Sequence, residues 1–396
     1  MIIQPKVRGF ICTTSHPLGC AANVQQQIDY VKKQKAISGG PKKVLIVGAS
    51  TGYGLASRIV AAFGSQAATM GVFFEREAEG KKTATAGWYN SVAFEQKAME
   101  AGLYAKSFNA DAFSMEIKEK VAACIKEDLG SIDLLVYSLA SPRRQHPQTG
   151  EVAKSVLKPI GTSYTNKSID LSTYKLETVT LPEASAEDIA QTVSVMGGED
   201  WELWINVLEK NGVLAQGFKT MAYSYIGPEI TRPIYRQGTI GKAKEHLEQT
   251  AQKLNQRLAR LNGGAAISVN KALVTQSSSA IPIVPLYFAL LKKVMKARGI
   301  EEDSIAQMYR LFATRLYANA QHNGLIRMDD YEMREDVQKE VLENWKKVDE
   351  NNLQQLSDLE GYQQDFLKLF GFGFKEVNYD SDVDADLKLP SSLSSS

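Results

Sequence analysis

The stretch that most constrains the fold of this chain is residues 42–54, KKVLIVGASTGYG. Residues 44–47 form a short, β-branched apolar run that ends at a glycine, a pattern typical of a buried parallel strand. Gly48, Gly52 and Gly54 crowd the turn that follows, and a helical pattern begins at Leu55. Strand, glycine-rich turn and helix together predict the first unit of a dinucleotide-binding fold.

The glycines have a physical reason in such a unit. A pyrophosphate needs several backbone N–H groups and the positive end of a helix dipole. A side chain at Gly48 or Gly54 would keep the backbone or the adenosine from approaching closely. The spacing G-x-x-x-G-x-G is the variant seen in short-chain dehydrogenases/reductases, which places the expected fold near that class.

Composition excludes several other functions. The chain has 396 residues, 44% of them hydrophobic, which is ample for a full core, and its net charge of +1 argues against nucleic acid as a partner. We expect no membrane insertion, because no apolar run approaches about 20 residues, and the N-terminus lacks a signal peptide's features. Three widely spaced cysteines and four histidines without ligand spacing predict a cytoplasmic protein with no metal site.

The second predicted strand, residues 67–74, ends at Glu75, 21 positions after Gly54. An acidic residue at this place accepts hydrogen bonds from the adenosine ribose, and its charge would repel a 2′-phosphate. Glu75 therefore favours NADH over NADPH, although Arg76 beside it weakens the argument. The alternative interpretation of Glu75 is a surface residue at a strand end.

Two further predicted strands carry polar or small residues at their carboxyl ends, where open parallel sheets bind ligands. Residues 104–109 lead to Asp111, which could face the adenine amino group, cap the next helix, or do both. Residues 132–139 lead to Ala140 and Ser141, and then to Arg143 and Arg144. These two arginines could contact phosphates of a nucleotide-bearing substrate or could simply form a solvated loop.

The remaining pattern sets the domain organisation. We predict one enlarged α/β domain over residues 1–380, a Rossmann-type doubly wound parallel sheet of short-chain dehydrogenase/reductase type. Residues 142–232 are a long substrate-binding insertion that could supply a lid and an acyl pocket. An amphipathic helix begins near Thr239. Residues 381–396 are acidic and then serine-rich, and we expect them to be disordered.

A site that moves a hydride must also manage a proton, and a tyrosine beside a lysine does this. The ammonium lowers the pKa of the phenol and holds the nicotinamide ribose. No tyrosine here has a lysine four residues later, which is the usual short-chain spacing. Tyr235 stands out because it lies in a glycine-punctuated loop before the amphipathic helix. Lys242 and Lys244 follow it, about 200° apart on a helix, so only one of them is expected to face the site.

These residues carry a resemblance to a known family. The chain resembles the FabV-type enoyl-[acyl-carrier-protein] reductases and the closely related trans-2-enoyl-CoA reductases. The resemblance covers residues 1 to about 380. Its motifs are VRGFICTTSHPLGC, KKVLIVGASTGYG, FFE, YSLASPRR, YSYIGPEITRPIYRQGTIGKAK, LVT at 273–275 and DFLKLFGFGF.

The resemblance implies an NADH-dependent reduction of the C2–C3 double bond of trans-2-enoyl thioesters in fatty acid biosynthesis. It implies that Tyr235 is the catalytic acid, that Lys244 rather than Lys242 is its partner on the cofactor ribose, and that Tyr225 hydrogen-bonds the thioester. Glu75 would select NADH. The cofactor would be lined by Gly48, Ala49, Ser50, Thr51, Gly52, Tyr53, Phe74, Glu75, Asp111, Ala112, Leu139, Ala140, Lys244, Leu273, Val274 and Thr275.

The resemblance also implies a monomer that acts on an enoyl thioester, with acyl carrier protein or coenzyme A as the carrier. No flavin motif is visible beyond the one glycine turn, so we expect no flavin. An alternative on the same fold is a carbonyl reductase of 3-oxoacyl thioesters, against which the missing Tyr-x3-Lys argues. A non-catalytic NAD-binding regulator is the third hypothesis, and the intact pair of Tyr235 and Lys244 disfavours it.

Overall fold

A computed structural model describes residues 1–9, 11–171, 173–317 and 324–393, the last of these residues, 393, by its backbone alone. The strands are β1 Val7–Arg8, β2 Ile11–Cys12, β3 Lys43–Val47, β4 Ala68–Phe73, β5 Ala105–Asn109, β6 Ile132–Tyr137, β7 Arg143–Gln145, β8 Val152–Lys154, β9 Tyr164–Asp170, β10 Lys175–Leu181, β11 Leu214–Ser224, β12 Gly264–Val269 and β13 Leu325–Arg327.

Within these ranges, seven strands form one parallel sheet in the order β5-β4-β3-β6-β11-β12-β13. The strand order reverses between β3 and β6, so the crevice at their carboxyl ends is the place where such sheets bind ligands. Side chains of β3 alternate between the two layers: Val44 and Ile46 join one hydrophobic cluster, and Leu45 and Val47 join the other. The expected doubly wound parallel sheet is confirmed.

The helices are α1 Pro17–Lys33, α2 Gly52–Ile59, α3 Ala86–Glu100, α4 Met115–Cys124, α5 Ala186–Met196, α6 Glu199–Lys210, α7 Thr239–Leu258, α8 Gln276–Ser279, α9 Val284–Ala297, α10 Ser304–Leu311, α11 Glu335–Lys347, α12 Leu353–Leu356, α13 Leu359–Lys368 and α14 Pro390–Leu393. Turns of π-helix extend α2, α4 and α10 at Val60–Gly64, Ile125–Leu129 and Phe312–Leu316, and a 3₁₀ turn at Ala259–Leu261 follows α7. None of the helices in the described ranges is long and apolar enough to cross a membrane.

Two strands of the sheet, β11 and β13, were not predicted from the sequence. β11 pairs with both β6 and β12, so it is a central strand. Its register shifts between Leu214 and Lys219, and Gly217 in between has a φ of 77°. This irregularity, together with polar residues in the first half of the strand, hides the period-two pattern that identifies strands.

The insertion at residues 142–232 contains two antiparallel hairpins, β7–β8 and β9–β10, followed by α5 and α6. The last part of this segment is not an insertion, because β11 is a strand of the main sheet. β9 packs against α9, and α5 packs against α7. The role of this segment as a lid and acyl pocket stays a prediction.

The expectation that residues 381–396 are disordered is wrong for the part that the structure describes. Val383, Ala385 and Leu389 are buried in the main hydrophobic cluster. The carbonyl of Ala385 accepts a 2.8 Å hydrogen bond from the Tyr89 hydroxyl. The sequence VDADLKL alternates apolar and polar residues, and the charges of the segment hide this period-two signal. Residues 394–396 lie outside the described residues.

Candidate active site

The glycine turn after β3 is closed by two contacts that leave no room for a side chain. A Cβ on Gly48 would lie 2.6 Å from the carbonyl oxygen of Ser138, which follows β6. A Cβ on Gly54 would lie 1.8 Å from the carbonyl oxygen of Gly48. At Gly52, by contrast, nothing lies within 4 Å of an added Cβ. The turn is thus packed tightly on its protein side and open at Gly52, as a backbone cradle for phosphates requires.

Glu75 is held in place beside this turn. The Ser50 hydroxyl donates a 2.6 Å hydrogen bond to Glu75 Oε1. Asn109, at the end of β5, accepts from the Glu75 N–H at 2.7 Å and donates to the Glu75 carbonyl at 2.9 Å. A Cβ on Gly87, in the first turn of α3, would lie 2.0 Å from Glu75 Oε1. Three other segments therefore fix Glu75: Ser50 and Gly87 lie against its carboxylate, and Asn109 holds its backbone.

Sequence reasoning missed Gly87, although a glycine at a helix start is a signal of close packing. Phe74, next to Glu75, is 79% exposed although it is a large apolar side chain. An exposed aromatic ring at the carboxyl edge of the sheet offers a flat surface on which an adenine can stack.

Asp111 does not cap helix α4, so that alternative is wrong. The N-cap residue of α4 is Ser114, and Asp111 instead accepts a 2.9 Å hydrogen bond from the Phe113 N–H and is exposed. Ala112 is buried, and its carbonyl accepts from Lys118 Nζ at 2.8 Å. Lys118 pairs with Asp200 at 2.8 Å, with both side chains buried. The buried pair of Lys118 and Asp200 therefore fixes the backbone of the loop at Ala112.

The segments after β3 and after β12 are tied together. The Tyr53 hydroxyl donates a 2.6 Å hydrogen bond to the carbonyl of Lys271. Thr275 caps α8, because its hydroxyl accepts from the Ser278 N–H at 3.0 Å. Leu273 and Val274 lie between these two anchors. β12 itself ends at Val269, so Leu273 to Thr275 lie in the segment that follows the strand.

Three predicted site residues converge at the carboxyl end of β11. They are Tyr225, Tyr235 and Lys244, and we call them the tyrosine cluster. The rings of Tyr225 and Tyr235 meet edge to face, with centroids 4.8 Å apart and planes at 82°. Tyr235 is only 8% exposed. Lys244 Nζ donates a 3.0 Å hydrogen bond to the carbonyl of Tyr223, two residues before Tyr225. One strand end therefore holds both the phenols and the ammonium.

The structure separates the two lysines of α7. Lys242 is exposed and pairs with Glu245 at 2.9 Å, whereas Lys244 turns inward. Burial lowers the pKa of Lys244 to about 8. Burial raises the pKa of the Tyr235 phenol, and the negative charge of Glu332 raises it further. The cluster therefore combines a fully protonated phenol with a lysine that titrates near neutral pH.

Arg143 and Arg144 have different environments. Arg144 is buried, donates a 2.7 Å hydrogen bond to the Ser194 carbonyl, and pairs with Glu199 at 2.5 Å. It braces the β7–β8 hairpin against the start of α6, so phosphate binding is wrong for this arginine. Arg143 is exposed.

Comparison with known proteins decides the family. An enoyl-[acyl-carrier-protein] reductase [NADH] of Coxiella burnetii is 56% identical over 397 residues, covering 99% of this chain and 98% of that protein. A trans-2-enoyl-CoA reductase [NADH] of Ruminiclostridium cellulolyticum is 55% identical over 98% of this chain and 99% of its own length. The chain belongs to the family of NADH-dependent enoyl-[acyl-carrier-protein] and trans-2-enoyl-CoA reductases.

Solved structures of the enoyl reductase family match the same fold. The trans-2-enoyl-CoA reductase of Clostridium acetobutulicum in complex with NADH superposes with a TM-score of 0.94 at 45% identity, covering 97% of this chain and 98% of that one. The Treponema denticola enzyme in complex with NAD gives a TM-score of 0.93 at 49% identity, with the same coverage of both chains. The expectations of an NADH-dependent oxidoreductase and of its family are confirmed.

Three family models divide the chain. They are described as the NAD(P)H binding domain of trans-2-enoyl-CoA reductase at residues 2–80, the trans-2-enoyl-CoA reductase catalytic region at 82–317, and an enoyl reductase FAD binding domain at 321–383. The first region holds the glycine turn and Glu75, and the second holds the tyrosine cluster. The glycine turn fits the pyrophosphate of NADH, because Gly48 and Gly54 pack it closely against the protein backbone while its backbone at Gly52 is open.

The described residues of the third region do not fit a flavin dinucleotide. No strand, glycine turn and helix follow one another between residues 324 and 383. A Cβ on Gly371 would collide with the carbonyl of His16 at 2.5 Å, and one on Gly361 would collide with the Asp358 carboxylate at 2.3 Å. These glycines serve packing against α1 and the capping of α13. The expectation of no flavin stays a prediction.

The site also contains a residue that sequence reasoning did not identify. Glu332, which is fully buried, accepts a 2.9 Å hydrogen bond from the Tyr225 hydroxyl. It lies 107 positions after Tyr225, in a segment without a sequence motif. Within the described ranges, no group of three or more histidine, cysteine or acidic side chains is arranged to hold a metal ion.

Proposed function

We propose that this enoyl reductase reduces the C2–C3 double bond of trans-2-enoyl thioesters to saturated acyl thioesters, with Tyr235 as the proton donor. The observation that carries the proposal is the convergence of Tyr225, Tyr235 and Lys244 at the end of β11. Two phenols and one ammonium at the same strand end provide the donors that a developing enolate needs.

The cofactor is held by the residues at the carboxyl edge of the sheet. The turn from Gly48 to Tyr53 receives the pyrophosphate, Glu75 accepts from the adenosine ribose, and Lys244 holds the nicotinamide ribose. Phe74, Asp111, Ala112, Leu139, Ala140 and Leu273 to Thr275 line the remaining cofactor surface. When bound, NADH supplies the hydride that C3 accepts.

The tyrosine cluster manages the charge that results. As C3 is reduced, negative charge develops on the thioester oxygen, and hydrogen bonds from Tyr225 and Tyr235 stabilise it. A preorganised donor of this kind contributes about 2.7–4 kcal/mol. The raised pKa of Tyr235 keeps its hydrogen in place until the enolate forms. C2 then receives a proton from Tyr235 or from a water relayed through it, and Lys244 stabilises the phenolate that remains.

We also propose that acyl carrier protein or coenzyme A carries the acyl group, and that the enzyme acts as a monomer in the cytoplasm in fatty acid biosynthesis. The free thiols of Cys12, Cys20 and Cys124 support a reducing compartment. The names of the relatives include both carriers, which supports keeping both in the proposal.

The experiment that tests the reaction follows NADH absorbance with a short trans-2-enoyl-CoA and, separately, with a 3-oxoacyl-CoA. NADH should be oxidised only with the enoyl substrate. Consumption of NADH with the 3-oxoacyl substrate alone would instead assign the enzyme to the carbonyl reductases and overturn the proposal.

A further inference from the structure

Glu332 is a buried carboxylate at the site, and the mechanism above does not use it. It follows β13 and is fully buried. Its Oε1 accepts from the Tyr225 hydroxyl at 2.9 Å and from the Tyr287 hydroxyl at 2.8 Å. Its Oε2 accepts from the Ala272 N–H at 2.6 Å. It therefore joins the end of β11, the segment after β12 and helix α9 in one hydrogen-bond network.

The hydrogens in this network can be counted. Gln338 Nε2 donates to the Glu332 carbonyl at 2.7 Å and to the Tyr287 oxygen at 3.1 Å. Because the amide orientation is fixed by the carbonyl, Tyr287 accepts from Gln338 and gives its own hydrogen to Glu332. Ala272 N–H occupies the other oxygen of Glu332, so any proton on this carboxyl group lies on Oε1, facing the two tyrosines.

The protonation state of Glu332 decides whether Tyr225 can donate a hydrogen bond to a substrate. A tyrosine hydroxyl has one hydrogen. If Glu332 is ionised, Tyr225 gives that hydrogen to Oε1 and presents only lone pairs to a substrate. If Glu332 is protonated, Oε1 donates to the Tyr225 oxygen, and the Tyr225 hydrogen is free for the thioester carbonyl. The donor role of Tyr225 in the proposed function therefore requires a neutral Glu332.

The surroundings of Glu332 are compatible with the neutral form. Burial raises the pKa of Glu332, while the Ala272 N–H, the two tyrosine hydroxyls and the charge of Lys271 oppose this rise. The other titratable groups that interact with it are Tyr53, Tyr235 and Arg327. An ionised Glu332 would also repel the enolate, because both charges would lie in a site with little water.

We propose that neutral Glu332 is a positioning residue that turns the hydroxyl hydrogen of Tyr225 toward the substrate carbonyl. This inference rests on the proposed function, in which Tyr225 donates to the thioester. It predicts that activity falls as pH rises through the titration of Glu332. Ionised Glu332 accepts the hydrogen bond of the Tyr225 hydroxyl, which then no longer donates to the substrate.

The test is the pH profile of kcat/KM for a short trans-2-enoyl-CoA at saturating NADH, in the wild type and in Glu332→Gln. The glutamine amide can donate to the Tyr225 oxygen while its carbonyl accepts from the Ala272 N–H, and it does not titrate. The variant should lose one step of about tenfold per pH unit from the alkaline side of the profile. The alkaline step that Lys244 causes should remain in both proteins.

Tyr287→Phe is the second variant, and it needs no change at Glu332. It removes a hydrogen bond that favours the ionised carboxylate, so the Glu332 step should move to higher pH. If Glu332→Gln fails to fold, as judged by circular dichroism, the shift in Tyr287→Phe decides the question. An identical profile in Glu332→Gln and wild type, or an unshifted step in Tyr287→Phe, would overturn the inference.

The two proposals fail in different ways. If the wild type does not reduce any enoyl thioester, the proposed function is wrong. If it does, and Tyr225→Phe loses kcat/KM while Glu332→Gln keeps the wild-type profile, the function stands and only the role of Glu332 is wrong.

Discussion

The cofactor turn and the tyrosine cluster lie at the same edge of the sheet but are assembled differently. In the cofactor turn, Ser50 and Glu75 are 25 positions apart, and both follow strands that the sequence predicts. In the tyrosine cluster, Tyr225 reaches Glu332 over 107 positions, and Ala272 reaches it over 60. A site built from neighbouring βα units can be read from local motifs, whereas a site built from distant loops needs the tertiary structure.

The largest effect should come from the tyrosine cluster. Tyr235→Phe removes the proton donor and should lower kcat about 10²- to 10⁴-fold, the usual range for a general acid. NADH affinity, measured by fluorescence titration, should change little because the glycine turn is intact. Tyr309→Phe is the matched control. The Tyr309 hydroxyl donates to the Lys35 carbonyl, which belongs to neither the glycine turn nor the tyrosine cluster. Near-normal turnover in Tyr235→Phe would refute the assigned role.

The two lysines of α7 provide the next comparison. Lys244→Met should lower kcat/KM about 10²-fold, because it removes a buried charge from the site of the developing enolate. Lys242→Met removes only an exposed pair with Glu245, worth about 0–1 kcal/mol, and should leave the steady-state kinetics nearly unchanged. Equal losses of kcat/KM in the two variants would show that the inward-facing Lys244 contributes no more to catalysis than the exposed Lys242.

The cofactor turn can be disturbed by a single methyl group. In Gly54→Ala the new Cβ would lie 1.8 Å from the Gly48 carbonyl oxygen, so helix α2 must shift. Overpacking of this kind costs about 1–3 kcal/mol, which predicts NADH binding about 5- to 150-fold weaker. Turnover at saturating NADH should fall much less. A variant that binds NADH normally but turns over slowly would contradict the division between the two regions.

A smaller effect is expected from pH alone. The pKa of Lys244 is lowered to about 8, so the lysine is charged below that pH and neutral above it. If the charge is needed, kcat/KM for NADH should fall about tenfold per pH unit above pH 8. The measurement is a pH series in the wild type and in Lys244→Met, whose residual activity should lack this step. Its persistence in Lys244→Met would assign it to another group.

The smallest effect concerns the choice between NADH and NADPH. Glu75→Ala removes the carboxylate that would repel a 2′-phosphate, and the ratio of kcat/KM values should shift toward NADPH by about tenfold, or about 1.4 kcal/mol. Asp111→Ala, at the neighbouring loop, is the control and should not change the ratio. An unchanged ratio in Glu75→Ala would leave cofactor selection to other residues, with Arg76 the first to test.

Much of the fold could be predicted because β3, β4 and β6 each combine an apolar run with a turn signal. β11 was not predicted because its bulge interrupts the period-two pattern. The packing of the C-terminal segment was not predicted because its charges mask the alternation of Val383, Ala385 and Leu389. In the site, the glycine-punctuated loop before the amphipathic helix pointed to Tyr235, whereas spacing alone left Lys242 and Lys244 open. The family resemblance chose Lys244, and the structure shows that this lysine turns inward while Lys242 is exposed. Glu332 could not be found, since nothing near it in the sequence indicates that it touches Tyr225.

The most direct test of the account follows each hydrogen into the product. The wild-type enzyme reduces a short trans-2-enoyl-CoA with unlabelled NADH in D₂O, and the acyl product is analysed by NMR and mass spectrometry. We expect a saturated thioester with one deuterium at C2, delivered through the tyrosine cluster, and none at C3. Deuterium at C3, or a product that keeps its double bond while NADH is oxidised, would contradict it.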